Sequence, residues 1–295
     1  MLFSTMHNFH NFMLMNEFYL SGIYIYPIKS LGGISLNEAE LEEKGLKYDR
    51  RWMLIDQQGT FISQRKHHSL ALLQVNIDYK VVKIIHKNDP QISISFTIGE
   101  QTGTPINVTV WDDQCSGVEV NTQLSKWFSD YLHMEVRLIE MPPEEKRRVD
   151  LKYAKNEEIV SFADGYPCLL IGQSSLDGLN EKLEQAVAMD RFRPNLVFTG
   201  GEPHIEDTFY SFEISSIPFT AVKPCARCVL VTVDQQTGVK GAEPLKTLAG
   251  YRTANKKVMF GQNLLHSALG IIRVGDELQI KERKPPVLQP LPLQS

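Results

Sequence analysis

The sequence predicts a mainly β, α+β fold with barrel-like sheets. Short runs of alternating apolar and polar residues recur along the chain, and two helical patterns interrupt them. Because strands and helices do not alternate regularly, the pattern disfavours a doubly wound parallel sheet. A chain of 295 residues, 42% of them hydrophobic, can bury one large core or two ordinary cores without disulfides.

The front half of the chain contains the clearest strand patterns. Residues 91–99, QISISFTIG, alternate with period two, which is typical of a strand with one buried face. Asp112 and Asp113 separate two shorter alternating runs and predict a hairpin turn. A helix is predicted over residues 124–132, where large apolar side chains fall on one face. Further strands are predicted at residues 24–28, 52–56, 107–111 and 117–121.

The second half of the chain begins with a helical pattern and then returns to strands. The helix is predicted over residues 175–187, with Ser174 and Asp177 forming a capping box at its start. Gly178 weakens this helix slightly, because glycine has a low helix propensity. Strands are predicted at residues 196–199, 209–214, 219–222, 229–233 and 271–280.

A polar, charged segment at residues 142–150, PPEEKRRVD, is the predicted boundary between two domains. The first domain covers residues 17–141 and the second covers residues 142–282. Residues 1–16, rich in Met, Phe and Asn, are predicted to be a loose extension, since they lack the features of a secretory or transit signal. Residues 283–295 are Pro-rich and are predicted to be extended.

Composition and charge argue against several classes of protein. The net charge of -4 disfavours nucleic acid as the main partner, because phosphate binding draws on a strong basic excess. No apolar run reaches the length of a membrane span. Four cysteines are too few for a disulfide scaffold in a chain of this length. Without an export signal we expect a cytoplasmic location and free thiols.

The segment that carries the most chemical information is KPCARCVLVTVDQQTG, at residues 223–238. Cys225 and Cys228 form a CxxC before a predicted strand, and a guanidinium at Arg227 favours thiolate over thiol. A structural zinc site is disfavoured, because the chain has no second ligand pair. A thioredoxin-like pair usually begins a helix, whereas this pair precedes a strand. The spacing alone leaves a functional thiol and two inert cysteines equally open.

Three further segments place positive charge near predicted strands. In DRFRPN, Arg191 and Arg193 suit bidentate phosphate binding, with surface salt bridges as the commoner alternative. Lys29 and Ser30, followed by two glycines, offer an ammonium, a hydroxyl and backbone amides to an anion, or else form an ordinary polar turn. Arg50 follows an aspartate that would orient its guanidinium, or both belong to a solvated charge cluster.

Together and in this order, these segments resemble the MOSC family with its N-terminal β-barrel domain, a family that includes the mitochondrial amidoxime-reducing components and bacterial relatives. The resembling pieces run from residue 24 to about residue 279. They are YPIKS with the following Gly-Gly, YDRRWMLID, SFADGYPCLLIGQSSL, FRPNLVFTGG, KPCARCVLVTVDQQTG, EPLKTL and FGQN. The resemblance implies a MOSC-type β-barrel domain preceded by a β-barrel-like N-terminal domain.

The resemblance also implies a molybdenum cofactor. The second cysteine of the CxRC motif ligates molybdenum in this family, and here it is Cys228. The cofactor brings two dithiolene sulfurs, so one protein thiolate suffices. Contacts with the cofactor are implied for Lys29, Ser30, Arg50, Arg193, Asn195 and Arg227. Cys225 gains no such role. At Gly165 and Tyr166 the sequence departs from animal relatives, which have small hydroxyl residues there.

The activity implied by the resemblance is the reduction of small N-hydroxylated substrates, such as amidoximes, by oxo-molybdenum chemistry. The chain lacks further cysteines for an iron–sulfur cluster, so we expect an external electron donor, either a ferredoxin or a cytochrome with its reductase. Two alternatives remain open. The protein is a carrier of the cofactor or of sulfur without turnover of its own, or it is a CxxC thiol oxidoreductase in which both cysteines are essential.

Overall fold

The computed structural model describes residues 17–154 and 156–288. The extension predicted at residues 1–16 and the part of the predicted tail from residue 289 onward lie outside them. Over the described residues the fold is mainly β, as predicted, with nineteen strands and three α-helices. Within the same residues, no helix is both long and apolar enough to cross a membrane.

Most strands are short, and turns separate them. In chain order they are β1 (Tyr19–Ile25), β2 (Ile34–Leu36), β3 (Glu38–Glu42), β4 (Gly45–Leu46), β5 (Trp52–Ile55), β6 (Leu73–Asp78), β7 (Val81–His86), β8 (Asp89–Thr97), β9 (Pro105–Val110), β10 (Asp113–Glu119), β11 (Arg137–Glu140), β12 (Cys168–Gly172), β13 (Leu196–Thr199), β14 (Phe209–Ile214), β15 (Ile217–Arg227), β16 (Thr253–Ala254), β17 (Lys257–His266), β18 (Gly270–Arg273) and β19 (Leu278–Arg283). The helices are α1 (Thr122–Leu132), α2 (Gln173–Asn180) and α3 (Leu245–Tyr251), and 3-10 turns lie at His68–Leu72, Met189–Arg191, Ile205–Thr208 and Val229–Thr232.

The largest sheet has nine strands and connects the two ends of the described chain. Its order is β19-β14-β15-β17-β12-β13-β1-β2, with β16 paired to β17. All pairs are antiparallel except β12 with β13, which run parallel. The pairing of β1 with β13 places the first strand of the chain in a sheet otherwise formed mainly by residues 168–283. The limits given above for the two domains follow sequence order and stay a prediction.

Three smaller sheets are formed mainly by the front half of the chain. Strands β5, β11, β10 and β9 form one antiparallel sheet, and β6, β7 and β8 form a meander. Strand β3 pairs with β4 on one side and with β18 on the other, and β18 joins the front half to the end of the chain. Helix α1 packs against β11 and β8.

Helix α1 agrees with its sequence pattern. Its N-cap, Asn121, accepts a hydrogen bond from the backbone N–H of Leu124 at 2.8 Å, and such a cap contributes about 1 kcal/mol to stability. Leu124 and Phe128 face a core that also holds the fully buried Trp52. The helix ends at His133, which takes the left-handed conformation common after a last turn.

Helix α2 differs from its prediction at both ends. It ends at Asn180 rather than at residue 187, because the Asn180 amide exchanges hydrogen bonds of 2.9 and 3.1 Å with the backbone of Val187 and closes a loop. The predicted capping box is wrong. The N-cap is Gly172, and the buried hydroxyl of Ser174 has no hydrogen-bond partner among the described residues.

The strand predicted at residues 229–233 is wrong as well. The segment forms a 3-10 turn in which the Thr232 hydroxyl donates to the carbonyl of Val229 at 2.8 Å. Val231 is buried in this turn, so the apolar residues serve core packing without a strand. The CxxC segment therefore lies at the end of β15 and does not precede a strand.

The apolar run at residues 271–280 forms two strands instead of one. In the turn between β18 and β19, Gly275 has a φ of 97° and the Asp276 carboxylate accepts a backbone hydrogen bond at 2.7 Å. The two strands then join different sheets. The strand predicted at residues 24–28 also differs, since β1 ends at Ile25, shortly before a proline that cannot donate to a ladder.

Candidate functional site

One pocket brings together the four segments that carry chemistry in the sequence. It lies at the end of β15, beside the loops that follow β1 and β4 and the loops that precede β12 and β13. All seven predicted site residues line it, namely Lys29, Ser30, Arg50, Arg193, Asn195, Arg227 and Cys228. Phe61, Arg65, Asp164, Tyr166 and Cys225 line it too. Their roles toward a ligand stay predictions.

Two guanidiniums lie over the ring of Tyr26 beside the pocket. The distance to the ring centroid is 4.3 Å for Arg50 and 4.1 Å for Arg193. Asp49 fixes Arg50 through an ion pair of 2.6 Å, and Arg193 donates to the carbonyl of Leu31 at 2.7 Å. Both arginines have a positive backbone φ, 49° and 54°, in the left-handed region that residues other than glycine rarely adopt. The fold thus holds two cations against one buried aromatic ring.

The charge of Arg193 is poorly compensated by the protein. Its side chain is buried, and no carboxylate within the described residues lies at ion-pair distance from it. Burial, together with the neighbouring charge of Arg50, lowers the pKa of Arg193 to about 10. Because the protein does not neutralise this guanidinium, an anionic ligand in the pocket would form a favourable ion pair with Arg193.

The side chain of Asn195 is engaged by the protein itself. Its carbonyl oxygen accepts hydrogen bonds from Arg50 and from the backbone N–H of Leu169, both at 3.2 Å. Its amide nitrogen donates to the carbonyl of Tyr24 at 3.2 Å. This geometry supports a role for Asn195 in holding Arg50 and the loop before β13, and leaves the direct cofactor contact a prediction.

Sequence reasoning missed an ion pair at the pocket mouth. The ammonium of the buried Lys29 lies 2.5 Å from a carboxylate oxygen of Asp164. The side chain of Asp164 is mostly exposed. Burial lowers the pKa of Lys29. Desolvation opposes ionisation of Asp164, but the charge and hydrogen bond of Lys29, with a further bond from Trp111, hold its pKa below the usual range. The proton of the pair therefore lies on Lys29.

The CxRC segment presents two different thiols. Cys228 is exposed, Cys225 is partly buried, and both are free. Arg227 directly precedes Cys228 in the chain, but its guanidinium donates a hydrogen bond at 3.0 Å to the sulfur of Cys225. Arg227 also donates to the carbonyl of Phe192 at 2.6 Å. Its Nε is buried without a partner in the described residues, which costs about 1–3 kcal/mol unless a ligand accepts from it.

The other arginine of the DRFRPN segment has a structural role. Arg191 is buried and donates to the carbonyls of Val231 and Glu243 at 2.8 and 3.1 Å. It also pairs with Asp234 at 3.1 Å. Arg191 therefore ties the 3-10 turn after Cys228 to its surroundings and does not line the pocket.

The donor set of the pocket does not form a protein metal site on its own. Across residues 17–154 and 156–288, no group of three or more His, Cys, Asp or Glu side chains is placed to hold a metal ion. A metal bound at Cys228 would therefore take most of its ligands from another molecule. The surrounding cations indicate that this molecule is anionic.

Comparison with known proteins adds two matches of family models and several relatives. Residues 17–135 match the MOSC N-terminal beta barrel domain, and residues 157–279 match the MOSC domain. Mitochondrial amidoxime-reducing component 1 of Mus musculus is 30% identical over 275 residues, covering 88% of this chain and 81% of that protein. Molybdenum cofactor sulfurase of Bombyx mori is 28% identical over 281 residues, covering 90% of this chain and 34% of that protein.

Among solved structures, the YuaD protein of Bacillus subtilis aligns with a TM-score of 0.39 and 9% identity, covering 89% of this chain and 94% of that one. The assignment of the family comes from the sequence comparisons. Two domain models match in succession, and a relative at 30% identity spans most of both chains. The chain belongs to the MOSC family, with a MOSC N-terminal beta barrel domain followed by a MOSC domain.

Proposed function

We propose that this protein is a molybdenum-cofactor-dependent reductase of N-hydroxylated compounds, which receives its electrons from an external ferredoxin or cytochrome. The names of its relatives support the reaction class, since several are amidoxime-reducing components. The observation that carries the proposal is the pocket itself, in which one exposed thiol, Cys228, lies among several cations.

The pocket residues fit the molybdenum cofactor in charge and in ligand type. The cofactor carries a phosphate and two dithiolene sulfurs, so it is anionic and needs one further soft ligand. Cys228 is the proposed ligand, because its side chain is exposed at the pocket. Lys29, Arg50 and Arg193 would hold the anionic groups, and the unpaired Nε of Arg227 would donate to them.

The protein residues bind, orient and hold protons in this proposal. When bound, the cofactor supplies the two-electron chemistry that reduces an N–O bond. Asp49 and Asn195 fix the guanidinium of Arg50 before a ligand enters, so that little reorganisation is needed on binding. Ser30 adds a hydroxyl donor next to Lys29.

The ion pair at the pocket mouth is suited to proton delivery. Reduction of an N–OH group consumes two protons with the two electrons and releases water. The carboxylate of Asp164 stays ionised, so the available proton is on Nζ of Lys29. Burial lowers the pKa of Lys29, which makes its ammonium a better proton donor than an exposed lysine.

Asp164→Asn is expected to shift the pH profile of this activity. Asp164 raises the pKa of Lys29, so removing its charge leaves burial unopposed and lowers that pKa. The alkaline limb of kcat/KM should therefore move to lower pH, so the loss of activity relative to wild type should grow as the pH rises through that limb. Asp130→Asn, which removes a carboxylate paired with Lys126 on the exposed side of α1, is the matched control. An unmoved alkaline limb would exclude Lys29 as the group that holds the proton.

The proposed function is tested by the contents and turnover of the purified protein. We expect about one molybdenum and one pterin per chain after expression in a host that makes the cofactor, and reduction of benzamidoxime with reduced methyl viologen as electron donor. A protein without molybdenum, from a host that loads a second molybdoenzyme in parallel, would contradict the proposal.

A cofactor or sulfur carrier is the second candidate, because the relative from Bombyx mori is named a molybdenum cofactor sulfurase. The same pocket residues would serve a carrier, and turnover distinguishes a carrier from a reductase. A protein that holds molybdenum in full amount, reduces no amidoxime with a chemical donor, and transfers its cofactor to an acceptor protein would be a carrier.

A further inference from the structure

The hairpin turn between β9 and β10 places a tryptophan at the mouth of the pocket in an unusual conformation. Val110 pairs with Asp113 across a loop of two residues, Trp111 and Asp112. Of these two, Trp111 has a positive φ, 60°. A two-residue loop with positive φ at its first position has the form of a II′ turn, which normally carries glycine there. A bulky side chain in this position is strained.

Core packing does not account for this strain, because Trp111 is 44% exposed. Its contacts are with the pocket. The indole N–H donates to Asp164 at 3.2 Å, and the ring centroid lies 5.3 Å from that of Phe61. The guanidinium of Arg65 lies 4.0 Å from the indole centroid. Since Phe61, Arg65 and Asp164 all line the pocket, Trp111 borders the pocket through these three residues.

The charge of Arg65 is available to a ligand. Its guanidinium also lies 5.4 Å from the ring of Phe61, and its Nε donates weakly to Ser63 at 3.3 Å. Among the residues that the structure describes, no carboxylate lies within ion-pair distance of Arg65. The wall therefore combines the exposed indole of Trp111 and the partly buried ring of Phe61 with a cation that no carboxylate neutralises.

We propose that Trp111 and Arg65 form a specificity wall that selects planar, aromatic N-hydroxylated substrates carrying an anionic group. The proposal rests on the proposed function and adds the substrate class. An aromatic ring gains stacking on the indole, and a carboxylate on that ring gains a charge-assisted hydrogen bond from Arg65. An aliphatic substrate gains neither contact.

The test compares three amidoximes on the molybdenum-loaded protein with a chemical reductant: 4-carboxybenzamidoxime, benzamidoxime and acetamidoxime. Wild type should show the highest kcat/KM for 4-carboxybenzamidoxime. Arg65→Gln should lower that value about tenfold and leave benzamidoxime within about twofold. Trp111→Gly should lower kcat/KM for both aromatic substrates about tenfold relative to kcat/KM for acetamidoxime. Its Tm should stay within about 2 °C of wild type or rise, because glycine suits the turn.

Arg283→Gln is the matched control. Arg283 also lies over two aromatic rings, those of Phe18 and Phe209, but it does not line the pocket. This variant should leave the substrate ratios unchanged. Unchanged ratios in both Arg65→Gln and Trp111→Gly would overturn the specificity wall while leaving the proposed function intact.

Binding of a compound that cannot be reduced separates the two proposals. Calorimetric titration of the loaded protein with 4-carbamoylbenzoate should give a Kd about tenfold weaker in Arg65→Gln than in wild type. That result supports the wall even if no amidoxime is turned over, in which case only the proposed function fails. Equal affinity in wild type and Arg65→Gln overturns the wall.

Discussion

Cys228→Ala is expected to give a folded protein that retains almost no molybdenum and reduces no amidoxime. The thiol is exposed at the pocket, so its loss leaves no buried cavity and costs little stability. The described residues offer no cluster of donors that could replace it as a metal site. Loss of the one protein ligand should lower metal retention about a hundredfold or more. Molybdenum per chain and the thermal melting curve measure the two halves of this expectation.

Cys225→Ala is the matched control for that experiment. Cys225 accepts a hydrogen bond from Arg227, but it is the less exposed of the two thiols. We expect this variant to keep its molybdenum and most of its activity. A thiol oxidoreductase would need both cysteines, so equal loss in the two variants would favour that alternative. Full molybdenum content and activity in Cys228→Ala would contradict the ligand assignment.

Much of the site was predictable from the sequence because its motifs are local. Lys29 with Ser30, and Arg227 with Cys228, are neighbours along the chain, so a short segment shows that both are present. The resemblance to a family then indicated that the segments converge. In the structure, residues from all four segments line one pocket.

Contacts between distant segments could not be predicted in the same way. The ion pair of Lys29 with Asp164 joins residues 135 positions apart, and no periodicity in the sequence records such a contact. The pairing of β1 with β13 is equally non-local. Sequence order alone assigned β1 to the first domain, whereas hydrogen bonding places it in the large sheet.

The hairpin at Trp111 shows a different limit. The sequence predicted a turn at Asp112 and Asp113, because aspartate is common in tight turns. The loop lies one residue earlier and contains Trp111, a residue that turn preferences argue against. This shift of one residue moves Trp111 from the end of a predicted strand into the turn, where its φ is positive. The residue preferences of tight turns therefore gave a wrong turn position at a residue, Trp111, that we propose is functional.

Glu206→Gln is expected to remove a pH dependence of stability that wild type shows between about pH 5 and pH 7. Glu206 is fully buried. Its carboxyl group accepts hydrogen bonds from the Ser175 hydroxyl at 2.8 Å and from the backbone N–H of Gly172 at 3.3 Å. The nearby cation, Arg252, pairs with Asp207 instead. Burial, with the charge of Asp207, raises the pKa of Glu206 to about 7.

The sign of the effect follows from proton binding in the two states. The unfolded chain loses the proton of Glu206 near its ordinary pKa of 4.5, whereas the folded protein keeps it to about pH 7. Between these values the unfolded state binds fewer protons, so the free energy of unfolding falls as pH rises, by on the order of 3 kcal/mol in total. Glutamine carries no such proton, and its amide oxygen still accepts from Ser175.

Urea unfolding at pH 5 and pH 8 measures this difference, with Asp130→Asn as a control. Asp130 pairs with Lys126 on the exposed side of α1, so its replacement should leave the pH dependence of wild type intact. The free energy of unfolding of Glu206→Gln minus that of wild type should be higher at pH 8 than at pH 5. If the substitution changes the free energy of unfolding equally at pH 5 and pH 8, Glu206 is ionised in the folded protein at both pH values. The hydrogen bonds from Ser175 and Gly172, which favour the carboxylate, would then outweigh burial and the charge of Asp207.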